Sequence, residues 1–385
     1  MLRRVGWLLM LSLRCWAQEP APTVSPTPPP TQEALPSQVA VPAEEDDGLE
    51  IHGFLQSSYS AGFNRPGDGR NLYHGYDEET DRLRLDILDL DLQYRMDQPD
   101  HTGFRVELTT GGSMPRVDAA GGLFRDAYTG YSNTDFDIRQ AFVSHTLENG
   151  LRVDVGKFAS HLGYEIMDGV DGRNPNATRA LAFTYSPFTL TGIKVSYPVS
   201  ETLSLMGLVV LGGDLFQDTN QSLSVGAQVN YHPTEDFSVV ANVFQGPEQI
   251  RNDFNQRLLL ELVASYRISP TFTLGLQAMT GTEQGLAPLG GTANWNSLGF
   301  YWLTRFSDQF SLNLRQEWFN DPLGVRIVPG AHVSGLTLTP EYRITEDWVV
   351  RMDFRFDSAD QAVFDKGGRL VKQQNTFFLG QSYRF

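Results

Sequence analysis

From Leu49 onward, apolar and polar positions alternate with a period of two. Leu223, Val225, Ala227, Val229 and Tyr231 share one face, and Ser222, Ser224, Gly226, Gln228, Asn230 and His232 fill the other. Trp348, Val350, Met352, Phe354 and Phe356 alternate with Arg351, Asp353 and Arg355; Leu258, Leu260, Leu262, Ala264 and Tyr266 oppose Arg257, Glu261, Ser265 and Arg267. Alternation of this kind predicts strands with one apolar and one polar face. Around Ile87-Leu88 the parity switches, from Leu83, Leu85 and Ile87 to Leu88, Leu90, Leu92 and Tyr94. A bulge there would keep one continuous apolar face.

The connections repeat. Tyr197 to Leu203, Tyr231 to Phe237, Tyr266 to Phe272 and Tyr342 to Trp348 each run from an aromatic, through five mostly polar residues, to a bulky apolar one. Phe306 to Phe310 is a shorter version. These even spacings return the flanking residues to one face, and the copies start 34, 35, 40 and 36 residues apart, an internal repeat of one hairpin. Longer polar, glycine-rich segments separate them, at 64–81, 112–134, 159–187, 212–221, 246–254, 282–293, 320–330 and 358–372. The pattern predicts about sixteen strands, starting near 49, 83, 103, 134, 151, 189, 203, 222, 237, 256, 272, 295, 310, 332, 348 and 374.

Aromatic-bounded short turns on one side and long loops on the other are the asymmetry of an outer-membrane barrel. The expected fold class is therefore all-β: a transmembrane antiparallel up-and-down β-barrel over 49–385, with short periplasmic turns and long extracellular loops. In lipid every backbone N–H and C=O needs a partner, so such a sheet must close. Sixteen strands leave room for an aqueous lumen. The last strand runs through Phe377, Leu379 and Tyr383 to Phe385, with Gln381 a defect on that face. A terminal strand of this form resembles the signal read by the barrel-assembly machinery.

Composition adds an export signal. Arg3 and Arg4 precede the apolar stretch Val5 to Leu13, and Cys15-Trp16-Ala17 ends in a small residue, which places cleavage after Ala17. Arg14 argues against a lipid anchor on Cys15, because it sits where a lipobox needs a small residue. Residues 18–48 hold eight prolines and the run Glu44-Glu45-Asp46-Asp47, the composition of an extended periplasmic linker. The full chain of 385 residues carries a net charge of -16. Without the three arginines of the signal, 27 basic side chains face 46 acidic ones, a balance unsuited to nucleic acid.

Function is then expected inside the barrel. Arg105 and Glu107, Asn313, Arg315 and Glu317, Thr339, Glu341 and Arg343, and Arg351, Asp353 and Arg355 all fall on the polar face. They predict a pore-lining wall of mixed charge, able to orient polar solutes and equally able to tie neighbouring strands together by ion pairs. The longest connection, 159–187, carries Glu165, Asp168, Asp171 and Arg173 and is the candidate for a constriction folded into the lumen, with 112–134 second. Asp168, Asp171 and Asn174 could offer oxygen ligands, but their spacing matches no calcium loop. There is no HExxH pair, no GxSxG elbow and no phosphate loop, and the seven histidines are scattered. No catalysis and no cofactor are expected.

Gly156-Lys157-Phe158, Gly163-Tyr164-Glu165, Asn174, Asn176, Arg179, Phe183, Pro187-Phe188 and Thr191-Gly192 resemble the central signature of the OmpL-like, β-barrel porin-2 group of outer-membrane barrels. Pro340-Glu341-Tyr342-Arg343 is similar to that group's late-strand motif. Leu190 departs from it, standing where a histidine is expected. The resemblance implies a porin fold and passive permeation, here of small hydrophilic solutes or ions. A barrel with a blocked lumen, acting as a surface binding protein or adhesin, is the alternative.

Overall fold

The computed structural model describes residues 48–385 apart from 76, 97, 113–135 and 168–173. The expected signal segment and nearly all of the proline-rich segment lie outside the described residues. Fifteen strands follow in chain order: β1 (Leu49–Gly62), β2 (Arg82–Tyr94), β3 (His101–Thr110), β4 (Phe136–Thr146), β5 (Arg152–Ala159), β6 (Thr189–Ser200), β7 (Leu203–Gly213), β8 (Ser224–Thr234), β9 (Phe237–Pro247), β10 (Gln256–Ser269), β11 (Phe272–Ala287), β12 (Gly291–Arg305), β13 (Phe310–Asp321), β14 (Ala331–Arg343) and β15 (Trp348–Ala359). The short β16 (Phe364–Lys366) and β17 (Arg369–Val371) form a separate hairpin in the last long loop, and β18 (Gln373–Arg384) completes the set.

Strands β1–β15 and β18 make one closed antiparallel barrel of sixteen strands in which sequence neighbours pair and β18 returns to β1. Both chain ends of the sheet lie at the short-turn end. The expected strand starts fall within a few residues of those observed. The exception in kind is 282–293: β11 and β12 extend through most of it, and only Pro288–Gly290 turns the chain. Glycine and proline there mark a tight turn at the tip of a long hairpin rather than a loop.

The parity switch in β2 is a bulge. Gln56 pairs with Ile87 and Ser57 with Leu85, so Asp86 is the extra residue. Asp86 and Ile87 both point inward, while Leu85 and Leu88 keep the outward face. A second bulge in β4, opposite Glu107 and Leu108, turns both Arg139 and Gln140 inward. At the short-turn end the outward aromatics pair across strands: Tyr266 with Phe237, Phe310 with Tyr342, Trp348 with Tyr383 and Tyr94 with Phe104.

The closing seam explains the defect at Gln381. Gln381 sits opposite Ser57 and donates Nε2–H to Ser57 Oγ at 3.0 Å, so the two polar side chains on the outer face satisfy one another. Below them Phe385 and Gly53 exchange backbone hydrogen bonds of 2.8 and 3.0 Å, and the Phe385 ring lies flat over Gly53. Any Cβ there would occupy the ring's space.

Candidate functional site in the barrel lumen

The described residues of the connection between β5 and β6, 160–167 and 174–188, fold into the barrel. Gly163, with φ +114°, makes the turn that directs the chain inward, a conformation open to glycine. Next to it the Tyr164 ring stacks on Tyr301 of β12 at 4.0 Å between centroids. It lies against Gly275 of β11, where a side chain would displace it. Asn174 staples the loop on itself, accepting from Ile166 N–H at 2.8 Å and donating to Ile166 O at 2.7 Å. A single helical turn, α1 (Leu181–Thr184), leads back toward β6.

The opposite wall receives this loop through its polar side chains. Glu261 accepts from Gly163 N–H at 2.8 Å and Glu317 from Leu181 N–H at 2.6 Å. Asp353 accepts from the backbone N–H and the hydroxyl of Thr178 at 2.7 and 2.8 Å. Asn176 donates to Thr339 Oγ1, Asn313 to Pro175 O, and Arg355 to Arg179 O. Arg315 sits at the centre. Its guanidinium donates to Glu165 Oε1 and Thr178 O, both at 2.7 Å, and pairs with Glu317 at 3.2 Å, with no exposed surface.

Apolar side chains complete the seat. Inward-facing Phe142, Phe158, Leu190, Leu208, Val210, Phe244, Leu259, Met279, Trp295 and Phe319 form a buried cluster with Leu162, Leu181 and Ala182 of the loop. The alternation read β10 as polar inside, yet Leu259 and Val263 face in and are buried. Leu190, in the place of an expected histidine, belongs to this cluster.

The sequence-derived residues thus divide by surroundings. Arg315, Glu317, Asp353 and Arg355 face inward but are sealed beneath the loop, as is Glu165 of the loop itself against Arg315. Arg351 and Glu341 pair at 2.7 Å nearer the short-turn end, partly exposed to the lumen, and Arg343 is exposed at the rim. Arg105 pairs with Asp91 at 2.9 Å, and Glu107 with Arg139 at 3.5 Å. Asp168, Asp171 and Arg173 lie outside the described residues, as does most of 112–134. Sequence reasoning missed Asp86, Asp89, Asp91, Arg139, Asp154, Lys157 and Lys194 on the inner face of β2–β6; two of these sit at bulges that break the parity count.

Loops also cover the long-loop end. Leu72 and Tyr73 of the first loop, Val325 and Ile327 of the seventh, and Val363 and Phe364 of the eighth join one apolar cluster above Phe319 and Val333. Beneath it His74 is fully buried between two carboxylates, with Nδ1 2.6 Å from Asp77 and Nε2 2.9 Å from Asp357 of β15. Gln374 of β18 contacts the same ring, and Asp357 also pairs with Arg355. Burial and the Arg355 guanidinium push the His74 ring down, but Asp77 and Asp357 outweigh them and its pKa lies above the ordinary 6.5. Burial pushes the Asp77 carboxyl up, yet His74 and Arg355 hold it down to about 2.

This latch has a pH window. The raised histidine stabilises the loop fully below pH 6.5 and loses its contribution as pH climbs through the raised value. The lowered aspartate contributes above 3.8 and is lost as pH falls through about 2. Hydrogen exchange over 63–81, corrected for intrinsic rate, is expected to show greatest protection between these limits and to quicken in alkali. His74→Gln should flatten the alkaline limb; an unchanged limb would assign it to another group.

The chain matches the family model described as "Putative beta-barrel porin-2, OmpL-like" over residues 48–385. No curated protein sequence matches it. Among solved structures it is similar to the anion-selective porin from Comamonas acidovorans, at 13% identity and a TM-score of 0.59, over 88% of this chain and 99% of that one. It is also similar to OprB of Pseudomonas putida, at 12% identity and 0.57, over 88% and 94%. For OmpF of Salmonella typhi the values are 13% and 0.58, over 89% and 99%. At these identities the likeness is one of fold.

Proposed function

The chain belongs to the OmpL-like β-barrel porin-2 family, and from that premise we propose that it is a narrow passive channel of the outer membrane for small hydrophilic solutes and ions. The short-turn end then faces the periplasm and the long-loop end the exterior. One observation carries the reading: the described residues of the 160–188 connection are fastened inside the barrel by side chains of the strands, chiefly on β10–β15, as well as by hydrogen bonds within the loop. Sixteen strands alone enclose a wide aqueous space. A loop seated in that space narrows it to a path, beside which the charged side chains of β2–β6 stand. In this reading Arg105, Glu107, Glu341, Arg343 and Arg351 line the path, while Arg315, Glu317, Asp353 and Arg355 set its width by holding the loop. The terminal strand ending at Phe385 supports delivery by the barrel-assembly machinery.

Planar bilayers test this. The purified protein is expected to give discrete steps smaller than those of an open sixteen-stranded barrel. Asp353→Ala, which removes the acceptor for Thr178, should enlarge them about twofold or more by loosening the constriction. The apolar lid over the long-loop end favours a second reading, an occluded barrel whose loops bind partners at the surface. A folded protein silent in bilayers, in both forms, would select that one.

A further inference from the structure

Within the lumen, ion pairs are not flat against the wall. On β2–β6 the acid lies behind and the base in front. Arg105 is 13% exposed and its partner Asp91 0%. Arg152 is 14% exposed over Asp154, which is 1% exposed, and Lys194 reaches the same carboxylate at 3.1 Å with 13% of its own surface open. Ser144 donates to Asp154 at 2.6 Å from the adjacent strand, holding the acid at the base of the pair. Lys194 is held forward by aromatic faces, its Nζ 4.8 Å from the Phe158 ring centroid and 5.8 Å from that of Phe142. Arg257 over Glu283 shows the same order. The reverse order among lumen pairs occurs at Lys157–Asp137 and within the sealed Arg315 and Arg355 group, where both members are nearly closed to water. Among the described residues, acids are clearly the outer partners at the turn rim, as in Asp236 and Asp347.

A mobile ion responds most to the nearest charge, and a low-dielectric wall focuses that field into the water beside it. A chain that is acidic overall can therefore present a basic face to its own lumen. We propose that the channel prefers anions, and that Arg105, Arg152 and Lys194, standing over buried carboxylates on the β2–β6 wall, set that preference. The inference rests on the channel reading.

Reversal potentials in an asymmetric KCl gradient provide the test, read near 0.1 M salt where screening reaches only about 10 Å. The wild type should favour chloride over potassium by about threefold. Lys194→Gln, which leaves Asp154 paired with Arg152, should lower the ratio. Asp154→Asn, which removes the charge behind both cations, should raise it. Opposite shifts separate a field effect from a change of shape, and Arg152→Gln replaces Lys194→Gln should the latter fail to show the heat-modifiable mobility of a folded barrel. Cation preference in the wild type, or shifts of the same sign in both variants, overturns the inference while leaving the channel intact. A folded but silent barrel removes the channel reading and this inference with it.

Discussion

Arg315→Ala releases the loop from the wall and opens the lumen. Arg315 bridges Glu165 on the loop and Glu317 on β13, at 2.7 and 3.2 Å, and none of the three is exposed to any useful extent. Its removal leaves Glu165 without its guanidinium partner, leaves Glu317 to Arg355 alone at 3.5 Å, and strips Thr178 O of a donor. Breaking a buried pair by deleting one partner costs about 3–5 kcal/mol, more than replacing the whole pair with apolar groups. The strand ladders are untouched, so the loss falls on the loop and not on the barrel. Single-channel steps are expected to grow several-fold with fewer closures, while heat-modifiable mobility persists. Arg315→Met combined with Glu165→Gln should recover much of the narrow conductance, because one unpaired acid is removed with the base. Equal conductance in all three proteins would show that the loop does not limit flow.

The second large effect is at the seam. Gly53→Val places a side chain where the Phe385 ring lies, at the point where the last strand exchanges hydrogen bonds with the first. Overpacking of this kind costs about 1–3 kcal/mol, and here it obstructs the pairing that closes the sheet, whose open edges lipid does not tolerate. Refolding into detergent should therefore yield little of the compact, heat-modifiable form. Gly53→Val with Phe385→Ala should restore it, since the clash has been removed from the other side. A double variant as defective as the single would mean that Gly53 matters for another reason.

Much of the barrel is legible in the sequence because its outer face answers to a local rule. Lipid on one side forces an apolar residue at every second position, and aromatics mark where the lipid ends, so Tyr231, Tyr266 and Tyr342 announce the turns that follow them. Even the extra residue at Asp86 leaves a trace, as a change of parity. The interior obeys no such local rule. Glu165 and Arg315 are 150 positions apart and Thr178 and Asp353 are 175, and neither segment signals its partner. The loop's length suggested a constriction; the seating emerges only from the fold, where Gly163, Tyr164, Asn174 and Asn176 make contacts to the wall or within the loop. A clue was available in the run Leu258-Leu259-Leu260, with Val263 and Phe244. Apolar side chains on a face that should meet water mean that something covers it. His74 has one carboxylate, Asp77, three residues away in its own loop, but the second, Asp357, becomes a neighbour only through the closure of loop on wall.

Asp357 belongs to two attachments. One of its oxygens meets His74 of the outer loop, and both meet Arg355, whose guanidinium holds Arg179 O of the inner loop. The two loops therefore share one fastening, beside their other contacts. Loosening either end changes what the other can hold, so disturbances at the two loops should not simply add. A molecule that pulls the outer loop away would be felt at the inner loop without ever reaching it.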